Sequence, residues 1–338
     1  MIYNFIIIYY KMKFHRIVFL IILLIAALGI VYKLQVSSVL DNTNDLNIPN
    51  IYFRANTDQL LNLHQIPDLK NPIERMKTMK AFNYQISKTE RQTFYKLISL
   101  FDRIMKQHGI PYFISGGTLL GSYRNHDFLP WDDDIDVYVN VGSRRQVEKV
   151  FTSLNRINVV LYYTTKHDKL YFDNESFFSN KFGWKWPYVD ISFYDSNATH
   201  ITDIAKTYGR YETVPKSIIF PLSTRPFFIF DLPSPRDAFA NCAWMFGFTD
   251  MCSMHSYSHI IEAGYSGYGK EKCILFKNRY PYVNRYLNSD GVIEELVYKN
   301  TVIQRIIVNE PNYAISESFS IKLKYGFRFP SDIDLPAS

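Results

Sequence analysis

Hydrophobic positions fall into three regimes along the chain. From Ile17 to Tyr32 (IVFLIILLIAALGIVY) they are continuous and uncharged, and from 33 to 86 they are sparse among Asn, Asp and Pro. From 87 onward they recur with helix or strand period. Ser87-Lys-Thr-Glu90 fits a capping box, and Phe94, Leu97, Ile98, Phe101, Ile104 and Met105 repeat at three and four, predicting a helix that ends at Gly109 and Pro111. Tyr112–Ile114 reads as a buried strand running into Ser115-Gly116-Gly117 and a short helical stretch, Thr118 to Ser122. Further strands are predicted at Ile135–Val139, Val159–Tyr163 and Tyr188–Tyr194, with a helix at Ser143–Leu154. In the last of these strands Asp190 and Ser192 share a face. Helices and strands alternating from 87 to 195 predict an α/β (α+β) domain with a mixed sheet and flanking helices. From 196 to 338 the pattern assigns no elements.

The uncharged run predicts a membrane segment. Sixteen residues at ~1.5 Å per residue reach ~24 Å, a little short of a thin bilayer, and Phe14, Arg16 and Lys33 extend it by snorkelling. The resulting division is a cytosolic tail at 1–16, a transmembrane signal-anchor at 17–32, a stem at 33–86 and a lumenal domain at 87–338 with its core at about 87–250. A cleaved signal peptide ending near Ala27-Leu28-Gly29 is the alternative, and Met12 is an alternative start. Lys11, Lys13 and Arg16 precede the run and only Lys33 follows closely, which orients the chain as a single-pass type II protein of the Golgi or ER. Sequons at Asn174 and Asn197 agree with a secretory route. Cys242, Cys252 and Cys273 allow one disulfide and one free thiol, with the pairing open.

Charge sharpens this division. The 338 residues carry a formal +6. The four basic residues Lys11, Lys13, Arg16 and Lys33, with no acid among them, leave +2 for everything else. The excess belongs to the membrane flank, so a nucleic-acid partner is not implied.

The informative chemistry lies in SGGTLLGSYRNHDFLPWDDDIDVYV, residues 115–139. Asp132, Asp133, Asp134 and Asp136 are four carboxylates in five residues, a repulsive cluster that a cation relieves. On a strand Asp132, Asp134 and Asp136 share one face, with neighbours ~7 Å apart. Oxygen-only ligands of that kind suit Mg²⁺ or Mn²⁺. Ser115, Gly116, Gly117 and Thr118, at a strand-to-helix junction, offer backbone N–H groups to a donor phosphate, and Arg124 supplies a further positive charge. With Asp190 completing the metal set, the pattern predicts phosphoryl transfer. Trp184 and Trp186 are read as core, and Lys181 and Lys185 as solvated surface. His255-Ser-Tyr-Ser-His259 lacks the Glu of a zinc-protease helix and is set aside as a metal site.

GGTLLG, then an Arg, then PWDDDID closely resembles the signature of the LicD/fukutin/fukutin-related family, and Val189-Asp190-Ile191 resembles that family's later Asp-bearing strand. LPSPRDAFANCAWMFG (232–247) is similar to a family segment ending in Tyr-Gly, with Phe246 in place of the Tyr. The resemblance covers about 85–250. It implies a nucleotidyltransferase-like fold and transfer of phosphocholine or an alditol phosphate, such as ribitol phosphate, from a CDP-linked donor to a glycan or glycoprotein hydroxyl. By position it implies donor phosphate at Gly116 and Gly117 and metal at Asp134 and Asp136. It also implies that Asp190 completes the metal site and helps deprotonate the acceptor, with Asp132 a further ligand. Two rivals stand beside this expectation. One is a DxD-type glycosyltransferase using a nucleotide sugar, which would normally place ~100 residues of nucleotide-binding α/β structure before its DxD. The other is a catalytically silent lumenal binding protein.

Overall fold

The computed structural model describes residues 53–63, 71–78, 80–154, 158–178, 182–206, 213–247, 251–254, 257–265, 268–288, 291–308, 314–317 and 320–323. The tail and apolar run at 1–32 lie outside them. Among the described residues no helix is long and apolar enough to cross a membrane.

Helix α1 (Lys88–Gln107) starts where the capping box places it: Ser87 Oγ accepts from Glu90 N–H, and Glu90 Oε2 accepts from Ser87 N–H at 2.6 Å. Its apolar stripe buries Phe94, Leu97, Ile98, Phe101 and Met105 completely, each contributing roughly 1.5–3 kcal/mol of transfer free energy. The stripe packs on the central sheet. Gly109 adopts φ +61° just beyond the helix end, a conformation that favours glycine.

That sheet contains β1 (Tyr112–Ile114), β2 (Ile135–Asn140), β3 (Val159–Tyr162), β4 (His167–Phe172), β5 (Val189–Ser196), β6 (His200–Asp203) and β7 (Thr213–Pro215). The order is β1-β2-β5-β4-β3, with β6 pairing β5 and β7. Only β2 and β5 run parallel; the other pairs are antiparallel. The first six residues of β5 are all buried, as a strand covered on both faces requires. Helix α2 (Gly116–Asn125) follows β1 and packs on β2, and α3 (Arg144–Thr152) packs on β3. The mixed α/β class is as the pattern predicted.

The remainder is mostly antiparallel. Strands β8 (Ser223–Phe227) and β9 (Phe230–Ser234) form a hairpin, followed by α4 (Ala238–Phe246). Strands β10 (Met251–Met254) and β11 (Gly269–Lys272) pair, and a disulfide ties Cys252 of β10 to Cys273 just beyond β11; Cys242 is buried and forms no disulfide among the described residues. Strands β12 (Tyr282–Asn288), β13 (Gly291–Tyr298) and β14 (Thr301–Val308) make a separate sheet. These pairings join segments with no period of their own, so the sequence pattern left them unassigned.

Part of the expected stem is folded. Described residues from Phe53 to Ile86 pack into the same fold as those after 87. Phe53 exchanges backbone hydrogen bonds with Arg305, and Leu60, Met76, Phe82 and Ile86 are buried. Phe82 alone meets Trp131 and Phe276 at ring-centroid distances of 4.9 and 4.7 Å. Isolated apolar residues in a polar stretch acquire partners only through contacts as distant as these.

Candidate active site

The site is built where β1 hands over to α2 beside the start of β2. Ser115 N–H donates to the Asp136 carbonyl, and Thr118 Oγ1 accepts from Asp136 N–H at 2.8 Å, so the two segments are pinned together. Gly116 has φ +54°, and a Cβ there would lie 2.3 Å from Asp136 Oδ2; one on Gly117 would lie 2.3 Å from Asp132 Oδ2. The room these glycines leave is therefore taken by the Asp136 and Asp132 carboxylates. Gly117 N–H donates to Asp136 Oδ2 at 3.3 Å, which turns the helix N-terminus toward that negative charge. Gly121 is also sterically obligatory, since a Cβ there would meet the Asp127 carbonyl at 2.4 Å. Gly116→Ala is expected to cost about 1–3 kcal/mol from backbone strain alone and to push Asp136 out of place. Thermal melts with and without Mn²⁺ would measure both effects; an unchanged midpoint and an unchanged metal response would contradict this geometry.

Parallel pairing of β2 with β5 sets Asp136 directly opposite Asp190. With Asp134 they form a triad in which one carboxylate oxygen from each residue lies within 4.8 Å of the others. Asp134 and Asp190 are buried, and Asp132 and Asp136 half-buried. Two buried oxygens in this cluster, Asp132 Oδ2 and Asp190 Oδ1, have no hydrogen-bond partner among the described residues. Clustered like charges with orphaned oxygens fit a divalent cation held by oxygen ligands.

The electrostatics agree. Burial, together with Asp136 and Asp133, pushes Asp132 up to about 8. Burial, with Asp132 and Asp133 and against His259, does the same to Asp134, also to about 8. Burial and the charges of Asp134 and Asp190 drive Asp136 well above the usual carboxylate range. Asp190 goes the other way: burial pushes it up, but Lys169 and His167 outweigh burial and hold it below that range. Lys169 Nζ is 2.5 Å and His167 Nδ1 3.5 Å from Asp190 Oδ2.

Raised carboxylate values carry a stability consequence. Between the unfolded value of 3.8 and about 8 the folded state binds more protons through Asp132 and Asp134 than the unfolded state does. Their contribution is complete below 3.8 and is lost as pH rises toward 8. Metal-free protein should therefore melt at lower temperature at pH 8 than at pH 5.5, and Mn²⁺ should recover most of the difference at pH 8. A melting temperature that rises steadily over this range without metal would contradict it.

Three contributors were not legible locally. His259, set aside with its HxxxH spacing, has Nδ1 3.0 Å from Asp133 Oδ1 and Nε2 3.3 Å from Asp134 Oδ2. Ser258 Oγ donates to Asp133 Oδ2 at 2.6 Å and Ile260 N–H to the same oxygen at 3.3 Å. Asp133 thus anchors the hairpin around 257–264, and with Asp134 and His259 it forms a second group whose ligand atoms lie within 4.8 Å of one another. Lys169 and His167, the other two, come from β4.

Arg124 is not brought to the acids. It lies in the last turn of α2, its Nη1 3.6 Å from Cys252 Sγ and its Nη2 3.5 Å from the Met251 carbonyl. Ser115 is the buried N-cap and makes no side-chain capping bond. Trp186 is fully buried, its Nε1 donating to the Asp133 carbonyl at 2.6 Å. Trp184 Nε1 donates to Glu262 Oε1 at 2.9 Å, and Lys185 pairs with Asp173 at 2.6 Å. Lys181 lies outside the described residues, and Phe246 is exposed.

Residues 109–237 match the family model described as LicD/FKTN/FKRP, nucleotidyltransferase domain. A lipopolysaccharide cholinephosphotransferase LicD of Haemophilus influenzae is 32% identical over 108 residues, covering 29% of this chain and 40% of the relative. An uncharacterized protein of Rickettsia typhi is 27% identical over 88 residues, covering 26% of this chain and 27% of its own length. One of Rickettsia prowazekii is 25% identical over 88 residues, covering 26% and 32%. The chain thus spans 27 to 40% of the length of these curated relatives.

Proposed function

We propose, on the premise that residues 109–237 place this chain in the LicD family, that it is a metal-dependent transferase of substituted phosphate. The group moved is phosphocholine or an alditol phosphate such as ribitol phosphate, the donor a CDP conjugate, and the acceptor a hydroxyl of a glycan or glycoprotein. The observation that carries this reading is the convergence of Asp134, Asp136 and Asp190 beneath the α2 N-terminus.

Asp134, Asp136 and Asp190 would hold Mg²⁺ or Mn²⁺, with Asp132 beside them, and the bound ion supplies the positive charge that neutralises a diphosphate and polarises its phosphorus. The acceptor oxygen attacks phosphorus, the bond to the bridging oxygen breaks, CMP departs, and the hydroxyl proton passes to a carboxylate. Without the ion, Lys169 and His167 hold Asp190 ionised. Asp132, whose Oδ2 is unpartnered among the described residues, is a further acceptor for that proton beside Asp190.

The N-terminal apolar run and its basic flank support a type II membrane anchor with the domain in the Golgi or ER lumen. The Cys252–Cys273 disulfide and the exposed sequon residues Asn174 and Asn197 fit the same compartment. Supplying purified protein and a glycan acceptor with CDP-choline, CDP-ribitol or UDP-sugars tests the activity. CMP release with phosphate-linked product is the expected result; turnover of UDP-sugars alone would replace this reading with a glycosyltransferase, and turnover of none would favour a binding protein.

A further inference from the structure

The geometry points to Lys169 as a resident counter-ion of the acid triad that moves onto the donor's diphosphate when a divalent ion is bound at Asp190; this rests on the transferase reading above. Lys169 stands opposite Asp190 in the antiparallel register of β4 and β5, with its ammonium 2.5 Å from Asp190 Oδ2. The residue is 6% exposed. Its Nζ lies 4.3 Å from the centroid of the Tyr188 ring and 5.8 Å from that of Trp184. Tyr188 OH and Trp184 Nε1 both donate to Glu262 Oε1, at 2.6 and 2.9 Å, so one carboxylate fixes both rings.

A buried ammonium requires a compensating negative charge, and in this arrangement Asp190 supplies it. A divalent ion at the triad draws on the same carboxylate: it can take Oδ1, unpartnered among the described residues, while Oδ2 keeps the ammonium, but the two cations then share one negative charge and repel each other across it. The two cations therefore compete. Lys169 does not escape to water from a site this enclosed. An anionic diphosphate arriving with the ion offers the ammonium a new partner within reach of its flexible four-carbon stem. Lysine serves phosphates as a point charge that needs no fixed fork geometry, which suits a group that must change partners. The Tyr188 and Trp184 rings attract the ammonium where it stands.

The competition gives variants opposite effects on two ligands. In the full chain, Mn²⁺ binding without nucleotide is read from the electron paramagnetic resonance of free Mn²⁺, and CDP binding at saturating Mn²⁺ by calorimetry. Lys169→Met should bind Mn²⁺ more tightly, by about tenfold, and CDP more weakly, by about tenfold or more. Lys169→Arg, which keeps the charge, should hold CDP within a few-fold of wild type and guards against misfolding of the methionine variant. Weaker binding of both ligands by Lys169→Met would reduce Lys169 to a structural role and overturn the inference, as would no change in either. Failure of the wild type to bind Mn²⁺ would instead overturn the metal reading on which the inference depends.

Discussion

Alanine at Asp134 or at Asp136 should lower transfer by on the order of 10³-fold or more while leaving the protein folded and, without metal, more stable than wild type. The loss follows from the ligand role proposed for them: several kcal/mol of transition-state charge stabilisation would depend on the ion, and ~4 kcal/mol is already about 10³ in rate. The gain in stability follows from the neighbours. Asp134 is pushed up to about 8 by burial and the nearby acids, and Asp136 is raised well above the usual range by burial, Asp134 and Asp190. A carboxylate so displaced destabilises the metal-free fold at neutral pH, so removing one relieves the others. A melt series separates the effects. Wild type should start low and rise with Mn²⁺, because an ion that binds only the folded state stabilises it. The alanine variants should start higher and respond little. Activity retained by both variants would remove the triad from the mechanism. Activity lost together with a lowered, metal-insensitive midpoint would mark the two residues as structural instead.

The triad was legible because most of it is local. Asp134 and Asp136 stand two residues apart at the start of a strand, and the glycines that admit Asp132 and Asp136 lie within twenty residues of them. Asp190 followed from strand alternation and from its resemblance to a family motif. Lys169, His167 and His259 were hidden because what makes them part of the site is register and loop placement: β4 pairing against β5, and a hairpin more than 120 residues away folding back on Asp133. The same distinction separates the helix α1, whose period and cap lie in its own residues, from Leu60, Met76 and Phe82, whose burial depends on partners elsewhere in the chain. The family match itself ends at 237, short of the expected 250, and the hairpin carrying His259 falls beyond it.

Also beyond that match lies the residue whose loss should destabilise the protein most. Glu294 on β13 is completely buried and accepts from Arg225 Nη2 at 2.9 Å on each oxygen. Arg285 Nε reaches Oε1 at 2.8 Å, and His126 Nε2 lies 2.7 Å from Oε2. Arg285 also donates through Nη2 to the Tyr123 carbonyl and sits 3.5 Å from the Tyr123 ring centroid. Because Tyr123 is in α2 and His126 is its left-handed C-cap, this one carboxylate ties the C-terminal sheet to the helix that frames the acid triad. Burial pushes Glu294 up, but Arg225 and Arg285 outweigh it and hold the carboxyl well below its usual range. Glu294→Ala removes the carboxylate that two buried guanidinium groups share and should cost about 3–5 kcal/mol, a large share of the roughly 5–15 kcal/mol a domain has in reserve. The stabilisation from the depressed carboxyl is present above the unfolded value of 4.5 and is lost as pH falls below it. Glu294→Gln should therefore flatten the acid limb of the stability profile as well as lower its plateau. Urea denaturation from pH 3 to pH 7 measures both, and a loss under about 1 kcal/mol at pH 7 would show that the network is no more than a set of weak surface-like pairs. Replacing Glu294, Arg225 and Arg285 together with apolar residues of similar volume should recover much of the loss, because the cost lies in the unpaired charges and not in the missing carboxylate.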